Sequence, residues 1–220
     1  YFHSETAQRL LNQQFGTLNL AGFGCTELTV AISAAGCLLQ YAQDTQRTAL
    51  PHIQGLRWER REETILIDAA SRRNLELDSR INFGKREHTL IGVLDQCATA
   101  MGSRLLRRWL HRPLRDKTIL QARHACVGQL LELGVQNQLF EILKGVGDIE
   151  RILARVALKS ARPRDLAQLR NALTRLPHLL QFLSDLSTFQ AFKQHIYEFP
   201  ELQQQLQAAI VDNPPFLVRD

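Results

Sequence analysis

PRDLAQLRNALTRLPHLLQFLS, residues 163–184, decides the fold class. Leu166, Leu169, Leu173, Leu176, Leu180 and Leu183 recur in alternating steps of three and four, the spacing of one helical face and not the two-residue period of a strand. Pro163 suits a first helical position, because its ring already holds φ near the helical value and its missing N–H is one the helix cannot use. Pro177 falls inside the seam and removes a rung of the hydrogen-bond ladder, so a kink is expected midway. A long helix packed in coiled-coil fashion follows.

The same period extends in both directions. Upstream, Asp148 is placed to cap a helix carrying Ile149, Ile152, Leu153 and Val156, with acids at its start and Arg151 and Arg155 along it, the charge order a helix dipole prefers. Gln138–Leu143 reads as a short helix ended by Lys144 and Gly145. Asp116 is expected to cap a helix running to about Leu133 before Gly134, with Ile119, Leu120, Val127, Leu130 and Leu131 as its buried edge. Gly102–His111, stopped by Pro113, places Met101, Leu105, Leu106, Trp109 and Leu110 inward and Arg104, Arg107 and Arg108 outward. Ser103 reads as a capping residue. Thr89 caps Leu90–Cys97, Asp68 caps a helix reaching about Leu77, and the polar, glycine-containing stretch 79–88 reads as a loop. Downstream, Ser187 or Thr188 caps a helix with Phe189, Phe192 and Ile196. Pro200 opens a last helix with Leu202, Leu206 and Ile210, and the tail from Asp212 is extended.

The first quarter of the chain differs. A helix over 4–14, capped by Ser4 and ended by Gly16, leads through a loop at Leu18–Gly24 to a second helix from Glu27 to about Thr45, capped by Thr26. Val30, Ala31, Ala34, Cys37, Leu38 and Tyr41 form its apolar stripe. Small residues at Ala31, Ala34, Ala35 and Gly36 allow a second backbone to approach closely, which suits packing against a sheet. After Pro51, Leu56–Arg60 and Thr64–Ile67 are short alternating or β-branched runs expected to pair as the chain's one hairpin. The fold class is therefore mainly α, with residues 1–60 able to form the end of an α/β unit and 61–220 a helical array.

Charge is concentrated rather than spread. The chain carries a net charge of +5, and between Met101 and Arg123 lie Arg104, Arg107, Arg108, Arg112, Arg115, Lys117 and Arg123 against Asp116 alone, so the remainder is close to neutral. Such a cluster is either a phosphate-binding footprint or a set of arginines that face solvent or pair with acids on neighbouring domains outside this sequence. Catalytic motifs are missing. Gly84-Lys85 is followed by Arg86 and has no glycine five residues upstream, so it is no P-loop, and Gly22-Phe23-Gly24 lacks the third glycine of a dinucleotide turn. The histidines show no metal-ligand spacing and no G-x-S-x-G elbow occurs, so catalytic, cofactor-binding and metal sites are all expected to be absent. Cys25, Cys37, Cys97 and Cys126 are widely spaced and read as reduced, buried thiols. No apolar run approaches the ~20 residues of a membrane span and the first residues form no signal peptide, so a cytoplasmic setting is expected.

One string goes further than composition. DAASRRNLELDSRINFGKREHTLIGVLDQCATAMGSRLLRRWLH (68–111), RPLRD (112–116) and GDIERILARVALKSARPRDLAQLR (147–170) resemble the lever, or core, domain of the bacterial MutS mismatch-repair family. LLNQQFGTLNLAGFG (10–24) and AAGCLLQYAQDTQRTALPHI (34–53) resemble the end of its connector domain, a ribonuclease-H-like α/β fold. Ala100 departs from relatives that carry proline before Met-Gly-Ser-Arg, which bears on the tightness of that turn. The resemblance implies a connector portion over 1–60 and the first half of the lever over 61–220, up to the point where the clamp helices leave near VDNPPFLVRD. It implies an excised, non-enzymatic fragment without the mismatch-reading motif or the P-loop, whose parent binds ATP and magnesium elsewhere. The expected role is mechanical, coupling ATP binding and hydrolysis to mismatch recognition and clamp movement in a cytoplasmic, nucleoid-associated homodimer that meets mismatched double-stranded DNA and MutL. Arg72, Arg73 and Asn74, and Arg162, Pro163, Arg164 and Asp165, are expected to make interdomain or helix-end contacts. The alternative is a basic module that binds DNA phosphates directly, through Arg104, Arg107, Arg108, Arg112 and Arg115 of the Arg104–Arg123 cluster.

Overall fold

The computed structural model describes residues 3–47, 50–80 and 88–215, and they fold as two compact units. The first comprises residues 1–60 and 153–161, the second residues 61–152 and 162–220. Both are helical, as the leucine and apolar spacings require. The expected loop at 79–88, with Gly84 and Lys85, falls mostly outside the described residues, as do the last five residues of the tail.

In the first unit α1 (Ser4–Phe15) packs along α2 (Thr29–Gln46), joined by a 3-10 turn at Ala21–Phe23. Gly16 ends α1 at φ 65°, a left-handed conformation that a glycine adopts without a Cβ clash. Ser4 and Thr26 are not caps. Ser4 is already the first helical residue, and α2 begins at Thr29, because Leu28 N–H is spent on Cys25 O in the preceding turn. The buried face of α2 also differs from the expected stripe: Ile32, Gly36 and Leu39 point to the core, while Val30 is 82 % exposed and Leu38 and Tyr41 are exposed with it. α2 is apolar on two faces, and periodicity does not rank them. Closest approach does, since a Cβ built on Gly36 would lie 2.4 Å from Ala7 Cβ and 2.6 Å from Ala7 Cα. The backbone that the small residues admit is therefore a helix and not a sheet, and no strand occurs in the described part of this unit. Ala7, Leu11, Leu20, Cys25, Ile32, Leu39 and Leu50 form the core, and Leu158 packs against it. The side chain of Gln14 serves the loop beyond, its amide donating to Leu50 O at 2.7 Å and Ile53 O at 3.0 Å.

The hairpin is absent from the described residues. Leu56–Arg60 is irregular and Arg61–Glu63 winds one 3-10 turn. Thr64 instead bridges Leu114, with Ile65 N–H on Pro113 O at 2.8 Å and Arg115 N–H on Glu63 O at 3.0 Å. The reason lies at Pro113: a residue before proline is pushed to extended backbone, and Arg112 has φ −138°, so a ready-made extended partner is available where the acidic turn offers none.

The rest of the second unit is a run of helices: α3 (Ala69–Asn74), α4 (Leu90–Leu94), α5 (Ala100–His111), α6 (Lys117–Leu133), α7 (Gln136–Lys144), the start of α8 (Ile149–Ala157), α9 (Pro163–Ser184), α10 (Gln190–Lys193) and α11 (Pro200–Ala209). Four expected caps are made: Asp68 accepts from Ser71 N–H, Thr89 from Gly92 N–H, Asp116 from Thr118 and Ile119 N–H, and Asp148 from Arg151 N–H. Two are not. Thr99, not Ser103, caps α5, and the Ser103 hydroxyl donates to Asp95 at 2.7 Å. Ser187 and Thr188 lie in a 3-10 turn, because Gln129 of α6 takes the Thr188 amide and hydroxyl at 3.1 and 2.6 Å. α9 continues through Pro177 to Ser184, with Leu169, Leu173 and Leu183 buried and Leu166, Leu176 and Leu180 half-buried. Ile152, Leu169, Leu173 and Leu206 make the core, flanked by Ile149, Leu166, Leu176 and Ile210. The expected buried edge of α6 lies mostly outward: Ile119, Val127 and Leu131 are exposed, and Cys126 is its buried residue.

Candidate functional site

The arginine-rich segment is divided by its neighbours. On α5, positions 104, 107, 108 and 111 fall within about 100° of arc at 100° per residue, so they share one face. Arg104, expected to face outward, instead grips the start of α8: its guanidinium donates to both Asp148 oxygens at 2.6 and 2.8 Å and to Glu150. Asp148 also accepts from Arg151 N–H at 3.4 Å, so one carboxylate opens α8 and ties it to α5. Hydrogen bonds from Arg104 are the main reason its pKa lies below the ordinary 3.8, with partial burial opposing them. Reciprocally, bonds to Asp148 and then Glu150 raise the Arg104 pKa.

That pair has a pH signature. A carboxyl with a depressed folded-state pKa adds stability above its unfolded value, and the contribution disappears as pH falls through the folded one. Asn caps about as well as Asp, so Asp148→Asn removes the charge and keeps the cap. We expect a loss of about 1 kcal/mol at pH 7, the upper range for partly exposed pairs. In urea unfolding the gap to wild type should close as pH falls below the ordinary carboxylate value and on through the lowered Asp148 one; a pH-independent gap would contradict the ion pair.

The remaining arginines do not converge on one site. The Arg123 guanidinium stacks 3.7 Å above the Trp109 ring centroid, a cation–π contact that half-buries it. Arg107, Arg108, Arg112 and Arg115 are exposed, and the Arg115 amide holds the bridge to Glu63. Arg72, Arg73 and Asn74 form the last turn of α3, where cations suit the helix C-terminus. Beyond them Glu76 turns the chain at φ 46°, and the carbonyls of Glu76 and Leu77 receive Leu90 and Ile91 N–H at 3.0 and 2.9 Å, which seats α4. Arg162, Pro163, Arg164 and Asp165 open α9: Asp165 accepts from Arg162 N–H at 2.9 Å, Pro163 occupies the first turn, and Arg164 Nε donates to Pro214 O at 3.3 Å.

Sequence reasoning missed the most deeply buried charge among the described residues. Arg170, 4 % exposed, donates to Ile210 O at 2.6 Å and pairs with Asp212 at 3.1 Å. Its only sequence signal is a cation wedged between Leu169 and Leu173. Arg175 was also unmarked; its guanidinium lies over Gly145 and donates towards the Glu141 and Ile142 carbonyls at 3.3 and 3.5 Å, satisfying the end of α7. These groups border a groove of about 1260 Å³ that also includes His178 and Asp185.

Other chemistry is sparse among the described residues. No three His, Cys, Asp or Glu side chains assemble a metal site, and no helix is long and apolar enough to cross a membrane. All four cysteines are free; Cys25 and Cys126 are buried, whereas Cys97, expected to be buried, is exposed. Partial burial, and then the Asp95 charge, push the Cys97 pKa up, away from a reactive thiolate. In comparisons with known families, residues 70–220 match the model for MutS domain III and residues 1–54 the model for MutS domain II.

Proposed function

Because the chain belongs to the MutS family of mismatch-repair proteins, we propose that its two units form a transmission part without an active centre, coupling ATP binding and hydrolysis elsewhere in the protein to mismatched-DNA recognition and clamp movement. The observation that carries this reading is the α9 seam, in a helix 22 residues long, with Leu166, Leu169, Leu173 and Leu176 packed in one core with Ile149 and Ile152 of α8 and Leu206 of α11. A helix seated this way moves as a body, because packed interiors switch between arrangements rather than deform continuously. ATP and magnesium, the homodimer contact and MutL belong to the same proposal, as does a cytoplasmic, nucleoid-associated setting. The competing role, direct phosphate binding by the arginine cluster, is weakened by the commitment of Arg104 to Asp148 and of Arg123 to Trp109.

Leu173→Ala in the full-length protein is the test. Truncation softens the seam without burying a charge and costs about 2–5 kcal/mol locally. Mismatch binding should be retained while ATP-driven release from DNA slows by an order of magnitude or more. Release at the wild-type rate, with the variant folded, would count against transmission through α9.

A further inference from the structure

α11 and the segment that follows it run antiparallel to α9, stitched at three levels. Gln203 Nε2 donates to Thr174 Oγ1 at 3.2 Å, Ile210 O and the Asp212 carboxylate meet Arg170, and Pro214 O meets Arg164. Moving forward along the outgoing chain moves backward along α9. The middle level is unlike the others, because a cation is buried in the apolar seam. Arg170 is 4 % exposed, yet its ionic partner Asp212 is 91 % exposed at the side chain. Burying a guanidinium is costly unless it is paired and hydrogen-bonded, and here both partners lie on one short stretch of backbone. The fork of donors, which binds a carbonyl and a carboxylate two residues apart, fixes where that stretch sits. Sliding the chain by one residue would leave a buried charge without its partners.

We propose that residues 210–215 form a strap and that Arg170 is the positioning residue that sets its register on α9, so that the strap follows the movement of α9. This rests on the transmission reading of α9 and names the residue through which the motion is passed on. Asp212 is the accessible half of the clasp, and charge at that position decides whether the strap holds.

The experiment uses nitroxide labels carried on a non-natural amino acid, which spares the native cysteines. In the full-length protein without nucleotide, one pair is placed at Asn213 and Asp185 and a control pair at Gln204 and Asp185. Wild type should give a narrow distance distribution for both. Asp212→Arg, which sets two cations against each other on the surface, should broaden and shift the Asn213 distribution and leave the control narrow. Asp212→Glu should keep both narrow, a rescue that general loosening of the core would not produce. An Asn213 distribution unchanged in Asp212→Arg, or a control that broadens with it, overturns the clasp whatever the fate of the transmission reading. With the strap loosened, ATP-driven release should slow about tenfold; release at the wild-type rate would overturn the role of Arg170 in passing on the motion, while the Leu173→Ala result decides the role of α9 separately.

Discussion

Replacing Gly36 by valine should unfold the helix pair of the first unit and leave the helices of the second in place. Glycine in a helix interior costs roughly 1 kcal/mol relative to alanine, so its presence in the middle of α2 needs a compensating contact. Ala7 supplies it. The nearest atoms to a Cβ at Gly36 are Ala7 Cβ at 2.4 Å and Ala7 Cα at 2.6 Å, and neither can rotate away as the end of a long side chain can. The helices must separate, which exposes Leu11, Ile32 and Leu39 together. Overpacking typically costs about 1–3 kcal/mol, and a clash against backbone falls at or above the top of that range. A core assembled from about seventy residues has little stability in reserve. Hydrogen exchange should show loss of protection across Ser4–Phe15 and Thr29–Gln46 and retention across Pro163–Ser184. A Gly36→Val protein with wild-type protection in α1 and α2 would mean that the two backbones do not approach this closely.

Ile152→Ala should be among the most damaging truncations in the second unit, while Leu153→Ala at the next position should cost little. Ile152 is 0 % exposed and joins Leu169, Leu173 and Leu206 in the core, whereas Leu153 is 50 % exposed. Removing a fully buried isoleucine costs about 2–5 kcal/mol through lost transfer energy and the cavity left behind. A half-exposed leucine gives up roughly half its contacts and leaves no closed cavity, so about 1 kcal/mol or less is expected. Urea unfolding of the two variants at matched protein concentration is the measurement. Equal losses would place the α8 contact elsewhere.

That pair also shows where legibility stopped. Ile152 and Leu153 occupy consecutive positions of one apolar pattern, and nothing local ranks them. Similarly, α2 and α6 are apolar over more than one face, so the stripe drawn through Val30, Leu38 and Tyr41, and the one through Ile119, Val127 and Leu131, satisfy the helical period and still point outward. The caps divide by the same logic. Asp68, Thr89 and Asp116 bond amides two or three residues away, and sequence spacing alone specifies such bonds. Thr188 and Ser103 were available as caps, but Gln129 and Asp95 claimed them from 59 and 8 residues away. The expected hairpin failed because strand pairing is nonlocal, and Pro113 offered the better-prepared partner.

The amino-acid sequence by itself determined what depends on short range: the helical class, the length and seam of α9, the capped starts of α3, α4 and α6, and the family resemblance. Tertiary structure alone decided which apolar face is inside, which arginine is spent on a carboxylate, and that Arg170 is buried against a strap forty residues further on. The physical reason is the range of the forces. Backbone hydrogen bonds and rotamer preferences are settled within a few residues, whereas burial and charge pairing depend on which surfaces meet, and many chains with the same local pattern would meet differently.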